Sequence, residues 1–438
     1  MSPELLKIAF LTSEYVIPPD RLDGGLASYV QKAARGLVER GHLASVFCLS
    51  DRNADWSDHG VSVHEVLSQP WRPLSVLVRV MRPVVETRRS VRNSMTLAKR
   101  LLAEHGVRSL DVIQAASYEA VGIALCGNGA VPLVSRISSA PWLYRKAEGR
   151  LVSPLSPLVD WCERYQIRHS DASFAPSELM AQAYSGAQAH APRLIRSPVD
   201  PLPEAQDDSF YRRQLTGLKY LLFFGALNRM KGIEVLSRAI GPLLEEFPGL
   251  HLVCVGKAHP ATGGQSHAEV LLRENARWGQ RVRYFPSLPK QQLYPVIRNA
   301  QGVLIPSLIN NYPNTCLEAM QFNRIVIGTY GSSLDEMIDD GQTGFLVRRG
   351  DVQDLRRGIR RLLHLTPLEK SEMERRVRGA FEGIVAEDRI GQHLNFYRAV
   401  VDQFAATRDQ RPAAEAGLPP RAETPFQLWM RILGEAGR

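Results

Sequence analysis

Residues 220–247 read YLLFFGALNRMKGIEVLSRAIGPLLEEF and contain one complete unit of a recurring pattern. A run of large apolar residues ends at Gly225, a polar turn follows, and apolar residues return at helical spacing from Val235 to Phe247. A continuously apolar strand, a glycine turn and an amphipathic helix are typical of a parallel sheet that helices cover on both faces. The stretch therefore predicts an α/β fold.

The same alternation continues on both sides of this unit. The strand-like segments before it are KIAFLT (7–12), ASVFCLS (44–50), VSVHEV (61–66), DVIQAA (111–116), VPLVSRI (131–137) and ASFAPS (172–177). Those after it are HLVCVG (251–256), VRYF (282–285), GVLIPS (302–307), IVIGTY (325–330) and FLV (345–347). A polar stretch with Pro198, Pro201 and Pro203 separates the two series. We therefore expect two doubly wound domains, each binding its ligand beyond the carboxyl ends of its strands.

The domain boundaries follow from this break. Residues 1–198 are expected to form an N-terminal Rossmann-like domain, and residues 199–387 a C-terminal domain. Residues 388–405 are expected to return to the first domain as a helix. The Pro- and Ala-rich composition that begins residues 406–438 predicts a linker and tail.

Composition narrows the classes of partner and compartment. A net charge of +9 over 438 residues indicates an anionic partner: nucleotide phosphates, an anionic membrane surface or nucleic acid. Because no RNA-recognition or zinc-finger motif occurs, we predict no nucleic-acid partner. The sequence shows no apolar run long enough to span a bilayer and no signal peptide. Its five scattered cysteines are predicted to be reduced, mostly buried and without zinc, which favours a cytoplasmic protein.

Two glycine turns are candidates for contact with phosphate. Asp23-Gly24-Gly25 precedes a helix, where glycines let the backbone approach a ligand and the helix N-terminus favours anions. The turn in 223–232 adds two cations, Arg229 and Lys231, and no Asp-x-Asp pair occurs in the chain. We therefore expect these cations, rather than a metal, to stabilise a leaving diphosphate. The alternatives are a tight turn without a ligand and two solvated loop cations.

A third segment, residues 306–347, combines a strand end, a polar loop and a helix start. The helix is predicted to begin near Thr315, which fits an N-cap, and Glu318 three residues later fits a capping box. Alternatively, the Glu318 carboxylate accepts hydrogen bonds from ribose hydroxyls. One side chain cannot fully satisfy both roles.

Taken in this order, the segments resemble glycosyltransferase family 4. The resemblance covers roughly residues 7–405 and is also carried by GGLASYV (24–30), SDASFAPS (170–177), RSPVDP (196–201) and DGQTGFLV (340–347). It implies the GT-B fold, with two Rossmann-like doubly wound domains facing a central cleft. In that fold, residues 1–198 would form the acceptor-side domain and residues 199–387 the domain that binds the nucleotide sugar. The resemblance also implies retaining transfer from a nucleotide-diphosphate sugar of UDP or GDP type, a donor substrate rather than a cofactor.

Roles in donor binding follow from the resemblance at matching positions. Arg229 and Lys231 match the phosphate-binding cations, and Glu318 matches the second of two glutamates, the one that usually holds the ribose. Asn314 and Thr315 match the loop and helix start whose backbone N–H groups face the diphosphate. This resemblance favours the ribose role for Glu318.

Two further positions match the family pattern and three depart from it. Gly24 and Gly25 match the loop that approaches the donor phosphates and the acceptor. The first glutamate of the family pair falls on Asn310, and the arginine that often follows the turn glycine falls on Ala226. The histidine of a first-domain turn on the acceptor side falls on Ser138. We count Asn310 with Arg229, Lys231 and Glu318 as the catalytic set.

The resulting prediction is a metal-independent, retaining hexosyltransferase that acts on a glycan or lipid-linked acceptor in polysaccharide biosynthesis. Such enzymes need no protein nucleophile, because the acceptor attacks on the face that the phosphate leaves and a phosphate oxygen takes the proton. The protein then orients the substrates and stabilises charge. Asn310 and Ser138 motivate one alternative, a catalytically silent relative that binds sugar nucleotides or glycans. Another GT-B activity, such as a phosphorylase or an epimerase, is a second alternative.

A basic stretch lies within residues 72–108. Between residues 72 and 100 one acid, Glu86, accompanies eight cations: Arg72, Arg79, Arg82, Arg88, Arg89, Arg92, Lys99 and Arg100. Beyond Pro83, apolar residues recur at near-helical spacing. A basic amphipathic helix is typical of peripheral contact with an anionic membrane, here the inner face of the cell membrane. The alternative is the solvated face of a packed helix.

Overall fold

A computed structural model describes residues 5–17, 24–68, 78–106, 109–148, 155–186, 191–199 and 206–407. These residues divide into two compact units. The first contains the described residues up to Arg145, those from 155 to Pro198 and those from Asp388 onward. The second contains Val199–Glu387 and also residues 146–148. Predictions made for Asp23, residues 72–77, residues 107–108, residues 200–201 and residues 408–438 fall outside the described residues.

The first unit is built on an eight-stranded sheet. Its strands are β1 (Lys7–Thr12), β2 (Leu43–Ser50), β3 (Ala54–Asp58), β4 (Val61–Leu67), β5 (Val112–Ala116), β6 (Leu133–Arg136), β7 (Ala172–Ala175) and β8 (Arg193–Leu194). Their order is β3-β4-β2-β1-β5-β6-β7-β8, and β3–β4 is antiparallel whereas the other pairs are parallel. The sequence pattern missed β3, because this edge strand, ADWSD, is largely polar.

β1 shows why the central strands are apolar at every position. Ala9 and Leu11 pack into one hydrophobic cluster, whereas Ile8 and Phe10 pack into another. Successive side chains of a strand point to opposite faces of the sheet, so a strand covered on both faces must be apolar throughout.

Five helices lie between the strands of the first unit or beside them. They are α1 (Gly25–Glu39), α2 (Val78–His105), α3 (Pro141–Glu148), α4 (Pro157–Arg168) and α5 (Glu178–Ala183). α2 begins before Pro83, although the helical spacing was recognised only beyond that residue. Pro83 is the sixth residue of α2, where it removes one backbone hydrogen bond and its ring crowds the preceding turn, yet the helix continues through it. Single 3₁₀ turns occur at Tyr118–Ala120 and Ile123–Leu125.

The second unit has a six-stranded sheet. Its strands are β9 (Lys219–Phe224), β10 (Leu250–Val255), β11 (Val282–Phe285), β12 (Gly302–Leu304), β13 (Val326–Thr329) and β14 (Gly344–Val347). Their order is β11-β10-β9-β12-β13-β14, and all pairs are parallel. Each strand coincides with a predicted apolar run, so the prediction of a parallel sheet is confirmed for this unit.

Helices and short turns connect these strands. The helices are α6 (Ser209–Gln214), α7 (Ile233–Glu246), α8 (His267–Glu274), α9 (Lys290–Arg298), α10 (Asn314–Gln321), α11 (Val352–Leu363) and α12 (Pro367–Ala386). The 3₁₀ segments are Arg229–Lys231, Thr262–Gly264, Ala276–Arg281 and Leu334–Glu336. α7 buries Leu236 and Ile240 in the same cluster as Leu221 and Phe223 of β9, so one helix face covers one face of the sheet.

A last helix, α13 (Arg389–Thr407), belongs to the first unit. The hydroxyl of Tyr29 in α1 lies 3.0 Å from Nε2 of His393 and donates to Oε1 of Gln114 at 3.1 Å. Tyr397 donates to the same Gln114 oxygen at 2.6 Å. Burial lowers the pKa of His393 to about 4, so this network contains a neutral imidazole at pH 7.

The cysteines are buried, and none forms a disulfide, as predicted. Burial raises the pKa of the Cys162, Cys254 and Cys316 thiols, which keeps them protonated at neutral pH. Among the helices of the described ranges, none is both long and apolar enough to cross a membrane.

Candidate active site

The carboxyl edge of the second sheet brings several chain segments into close contact. The turn after β9 begins at Gly225, with φ 113°, and the turn after β10 begins at Gly256, with φ 147°. A Cβ atom on Gly256 would lie 1.8 Å from the carbonyl oxygen of Gly225, and one on Gly225 would lie 3.5 Å from Cγ2 of Thr315. The end of β9 therefore lies close to the start of α10.

Gly232 closes the turn that carries the two predicted cations. Its φ is 76°, and a Cβ atom there would lie 1.9 Å from the carbonyl oxygen of Pro306. Asn228 begins the turn, and its Oδ1 accepts a hydrogen bond from the Lys231 N–H at 2.9 Å. The Leu308 N–H donates to the carbonyl of Met230 at 2.8 Å. These contacts hold the turn against the segment that follows β12.

Lys231 and Asn310 meet at this junction. Nζ of the half-buried Lys231 donates to Oδ1 of Asn310 at 2.7 Å, and Asn310 is only 2% exposed. An ammonium group can only donate, so the amide oxygen must face it and the amide NH₂ must point elsewhere. Among the described residues, that buried NH₂ has no hydrogen-bond partner. Burial also lowers the pKa of Lys231 to about 8.

The loop that carries Asn310 is fixed by backbone contacts that the sequence pattern did not reveal. The Asn310 N–H donates to the carbonyl of Ser332 at 3.1 Å. The Tyr312 N–H donates to Oγ of Ser333 at 2.9 Å, and both residues have positive φ, 54° and 66°. Residues with side chains rarely adopt this conformation, so the surrounding bonds must hold it.

The N-cap of α10 lies two residues before the predicted one. Pro313 is its N-cap, Asn314 is its first residue, and no side chain caps it. The prediction of Thr315 as N-cap with Glu318 in a capping box is therefore wrong, because Thr315 already lies inside the helix. Pro313 suits the N-cap position, because its ring fixes φ at a value that is compatible with a helix start. The first-turn N–H groups of Asn314 and Thr315 have no partner within the helix, and Glu318 is half-buried further along it.

Arg229 has different surroundings from Lys231. Its side chain is 40% exposed, and its Nε lies 3.9 Å from a carboxylate oxygen of Glu234. The structure thus joins Lys231 directly to Asn310, whereas Arg229 makes a long ion pair at the start of α7.

In the first unit, Gly24 and Gly25 differ in backbone conformation and in the space around them. Gly24 is the N-cap of α1 with φ 98°, and a Cβ atom on it would lie 2.3 Å from Oε2 of Glu14. Gly25 is the first helical residue, and a Cβ atom there would meet nothing within 4 Å. Only Gly24 is therefore required by the local backbone, while the space beside Gly25 is open.

Ser138 follows β6 at the carboxyl edge of the first sheet. Its N–H donates to Oγ of Ser117 at 3.0 Å, and its Oγ accepts from the Arg136 guanidinium at 2.9 Å. Arg136 is 4% exposed, and its guanidinium carbon lies 3.9 Å from the ring centroid of Tyr29. No sequence signal marks Arg136 as a site residue, because an arginine inside a strand pattern has no distinguishing spacing.

Within the described residues, no group of three or more His, Cys, Asp or Glu side chains is arranged to hold a metal ion. Near the end of β9, the Lys231 ammonium, the Asn310 amide and the first N–H groups of α10 are polar groups that could meet an anion.

Comparison with protein families identifies the chain. A family model described as glycosyl transferases group 1 matches residues 206–378. A second, described as a glycosyl transferase 4-like domain, matches residues 24–199. The chain belongs to the family 4 glycosyltransferases. The resemblance drawn from the sequence and the assignment as an enzyme are therefore confirmed.

Curated relatives of this glycosyltransferase carry the name D-inositol 3-phosphate glycosyltransferase. The protein from Acidothermus cellulolyticus is 24% identical over an alignment that covers 94% of this chain and 93% of the relative. The protein from Corynebacterium jeikeium is 33% identical, but this alignment covers 31% of the chain and only a third, 33%, of the relative.

Solved structures confirm the GT-B fold of this glycosyltransferase. Sucrose-phosphate synthase from Thermosynechococcus elongatus has a TM-score of 0.72 and 20% identity, and the match covers 91% of this chain and 100% of that chain. Anabaena HepE, solved in complex with UDP and glucose, has a TM-score of 0.61 and 18% identity, with 92% and 99% covered.

Proposed function

We propose that this glycosyltransferase is a retaining, metal-independent hexosyltransferase. It takes a sugar from a UDP- or GDP-type donor and transfers it to a glycan or lipid-linked acceptor. The observation that carries the proposal is the bond between Lys231 and Asn310, beside a turn that faces the start of α10. The UDP complexes of HepE support a nucleotide-sugar donor.

Lys231 has the central role in this proposal. The departing diphosphate gains negative charge, and a preorganised cation in a half-buried position stabilises that charge more than a solvated one would. Asn310 holds the ammonium without neutralising it, since an amide carries no charge. The free first-turn N–H groups of Asn314 and Thr315 add donors and the positive end of a helix dipole. Fixed positive partners of this kind supply the charge that a metal would otherwise provide.

The remaining predicted residues contact other parts of the substrates. Glu318 accepts hydrogen bonds from the ribose hydroxyls, and Arg229 contributes charge at the edge of the diphosphate site. Gly24 and Gly25 let the backbone approach the substrates. Ser138 lies on the acceptor side. No protein nucleophile is required, because the acceptor attacks on the face that the diphosphate leaves and a phosphate oxygen takes its proton.

A matched pair of lysine variants tests this function. Lys219 is exposed at the amino end of β9, whereas Lys231 follows its carboxyl end. Lys231→Ala should abolish nucleotide release from the preferred donor, and Lys219→Ala should leave it unchanged. Donors are first ranked by thermal shift with UDP- and GDP-sugars, because a ligand of the native state raises the melting temperature. Equal release by both variants contradicts the proposal.

Two further measurements test the finer claims. NMR of the newly formed glycosidic bond should show the anomeric configuration of the donor, and inversion would disprove the retaining mechanism. Transfer should persist after dialysis against EDTA. The acceptor panel includes lipid-linked sugars and, because of the relatives' name, inositol phosphate. Free phosphate as a co-product would indicate a phosphorylase instead.

We also propose peripheral attachment to the cytoplasmic face of the membrane through α2. Several of its cations are ion-paired within the protein, including Arg89 with Glu119 and Arg100 with Asp55. Arg88, Arg92 and Lys99 are exposed and have no ion pair among the described side chains. Their spacing of four and seven residues places them on one helix face, which supports electrostatic attraction to anionic lipid.

Liposome co-sedimentation tests the attachment. Vesicles that contain anionic lipid should bind the protein, and neutral vesicles should not. The triple substitution of Arg88, Arg92 and Lys99 by Gln should remove binding, whereas the same substitution at Arg375, which lies on α12 of the second unit, should not. Equal binding to both vesicle types would contradict the attachment.

A further inference from the structure

One buried carboxyl group contacts two loops at the carboxyl edge of the first sheet. The β5 loop is Ser117–Ala120, and the β6 loop is Ile137–Ala140. Glu163 of α4 is only 2% exposed. Oγ of Ser139 lies 3.0 Å and 2.8 Å from its two carboxyl oxygens. Glu163 is thus bonded to the loop that carries Ser138.

The β5 loop is bonded to the same carboxyl group through its backbone. The Glu119 N–H donates to Glu163. Glu119 and Ala120 have positive φ, 59° and 49°, in two consecutive residues with side chains. Such a conformation persists only where neighbouring groups hold it in place. The bond to Glu163 is such a contact.

The two loops are also bonded to one another. The Ser138 N–H donates to Oγ of Ser117 at 3.0 Å, and the Ser117 N–H donates to the carbonyl of Arg136 at 2.8 Å. The Tyr184 hydroxyl donates to the carbonyl of Ser139 at 3.1 Å. Displacing either loop would therefore displace the other, and Glu163 is the side chain that bonds to both.

The surroundings of Glu163 favour its neutral form. Burial raises the pKa of this carboxyl group to about 8, and the charge of Asp160 acts in the same direction. The titratable and charged groups near it are Asp160 and Cys162 on α4, Tyr144 on α3, Tyr184 after α5, Tyr118 and Glu119 in the β5 loop, and Arg136 on β6. No cation makes a salt bridge to Glu163 among the described residues.

We propose that Glu163 is a positioning residue for acceptor binding, because it fixes the β6 loop and its Ser138 relative to the β5 loop. The inference rests on the proposed function, in which Ser138 lies on the acceptor side. Glu163 acts through Ser139 and the Glu119 backbone and does not contact the acceptor. Loss of this carboxyl group frees both loops, which weakens acceptor binding while the donor site in the second unit is unaffected.

Two substitutions of Glu163 distinguish a role in positioning the two loops from a role in stabilising the fold alone. Glu163→Gln keeps the shape and an acceptor oxygen but cannot ionise, so it should behave like the neutral carboxyl group. Glu163→Leu fills the same space without any acceptor for Ser139 or Glu119. The matched control is Ser94→Ala, which removes buried hydrogen bonds to Val121 and Ala124, outside both loops.

Steady-state kinetics of the full chain provide the first readout. Glu163→Leu should raise the acceptor KM by about tenfold or more, with UDP affinity changed by less than about twofold. Glu163→Gln should stay near the wild type at pH 7. A rise in KM for Ser94→Ala equal to that of Glu163→Leu would overturn the inference.

Amide hydrogen exchange followed by mass spectrometry provides a readout independent of activity. Glu163→Leu should accelerate exchange in both the β5 and β6 loops and leave the Asn228–Gly232 turn unchanged. Unchanged exchange in the two loops would overturn the inference even if transfer is observed. A wild-type chain that transfers no sugar would instead contradict the proposed function, while the exchange result would still decide the role of Glu163.

Discussion

Nζ of Lys231 lies 2.7 Å from Oδ1 of Asn310, although 79 positions separate the two residues in the chain. Gly232 makes this contact geometrically possible, since its missing side chain lets the lysine turn pack against Pro306. The pair places a cation beside an uncharged acceptor, so the ammonium keeps its charge for a ligand.

We expect nucleotide binding to depend on pH through Lys231. Burial lowers the pKa of this ammonium to about 8, and a bound diphosphate would raise it again. Protonated Lys231 therefore predominates below pH 8, and UDP affinity should fall by about tenfold between pH 7 and pH 9. Isothermal titration calorimetry at a series of pH values checks this. Affinity that stays constant or rises with pH would show that Lys231 does not bind the diphosphate.

The lowered pKa of Lys231 also predicts how the free energy of unfolding depends on pH. A lysine with a lowered native pKa is less protonated in the native state than in the unfolded state between pH 8 and about 10.5. Its contribution to the free energy of unfolding should therefore increase with pH across this window. Urea unfolding of the wild type and Lys231→Met, in the absence of ligand, measures the difference. The variant should lack this increase.

Asn310→Glu should change the behaviour of Lys231. A carboxylate within hydrogen-bond distance favours the charged ammonium and raises its pKa. The decline in UDP affinity between pH 7 and 9 should therefore flatten in this variant. Asn310→Ala removes the oxygen that Lys231 contacts, so it should keep the pH dependence while weakening binding. A pH profile for Asn310→Glu identical to the wild type would contradict the prediction.

Gly232→Ala should destabilise the second unit. The residue has a φ of 76°, and the added Cβ would lie 1.9 Å from a backbone oxygen, which cannot move away like a flexible side chain. Backbone strain and the steric contact together should cost about 1–3 kcal/mol of unfolding free energy or more. Gly249→Ala is the matched control, because a Cβ there meets nothing within 4 Å. Chemical denaturation of both variants gives the comparison.

Gly24→Ala and Gly25→Ala should separate a structural from a functional glycine. Gly24 has a φ of 98° and would contact Glu14, so its substitution should cost about 1 kcal/mol or more of stability. Gly25 is helical and its surroundings are open, so alanine should leave stability unchanged or raise it slightly. If the loop approaches a substrate, Gly25→Ala should nevertheless lower transfer. Normal transfer by a stable Gly25→Ala variant would argue against a ligand at this glycine.

Much of the fold could be predicted because it depends on local patterns. β1 and β9 are recognisable from their continuous apolar runs, and α1 and α7 from apolar residues at helical spacing. Predictions were wrong or incomplete where a strand is held by long-range contacts or a helix begins at an unusual residue, because the apolar pattern then does not mark the element. β3 is a polar edge strand, and α10 begins at Asn314, after the N-cap Pro313, rather than at Thr315.

For the candidate site, the residue types could be predicted from the sequence, but their contacts could not. Glycines, Lys231 and Glu318 could be selected from the sequence, since phosphate and ribose require cations, open backbone and carboxylates. The sequence determined these residue types and the strands that carry them. Tertiary structure decided that Lys231 bonds to Asn310 while Arg229 lies near Glu234, and that Glu163 bonds to two loops. Such pairings depend on where distant segments meet at a sheet edge and on the burial that shifts each pKa, and neither is encoded in local spacing.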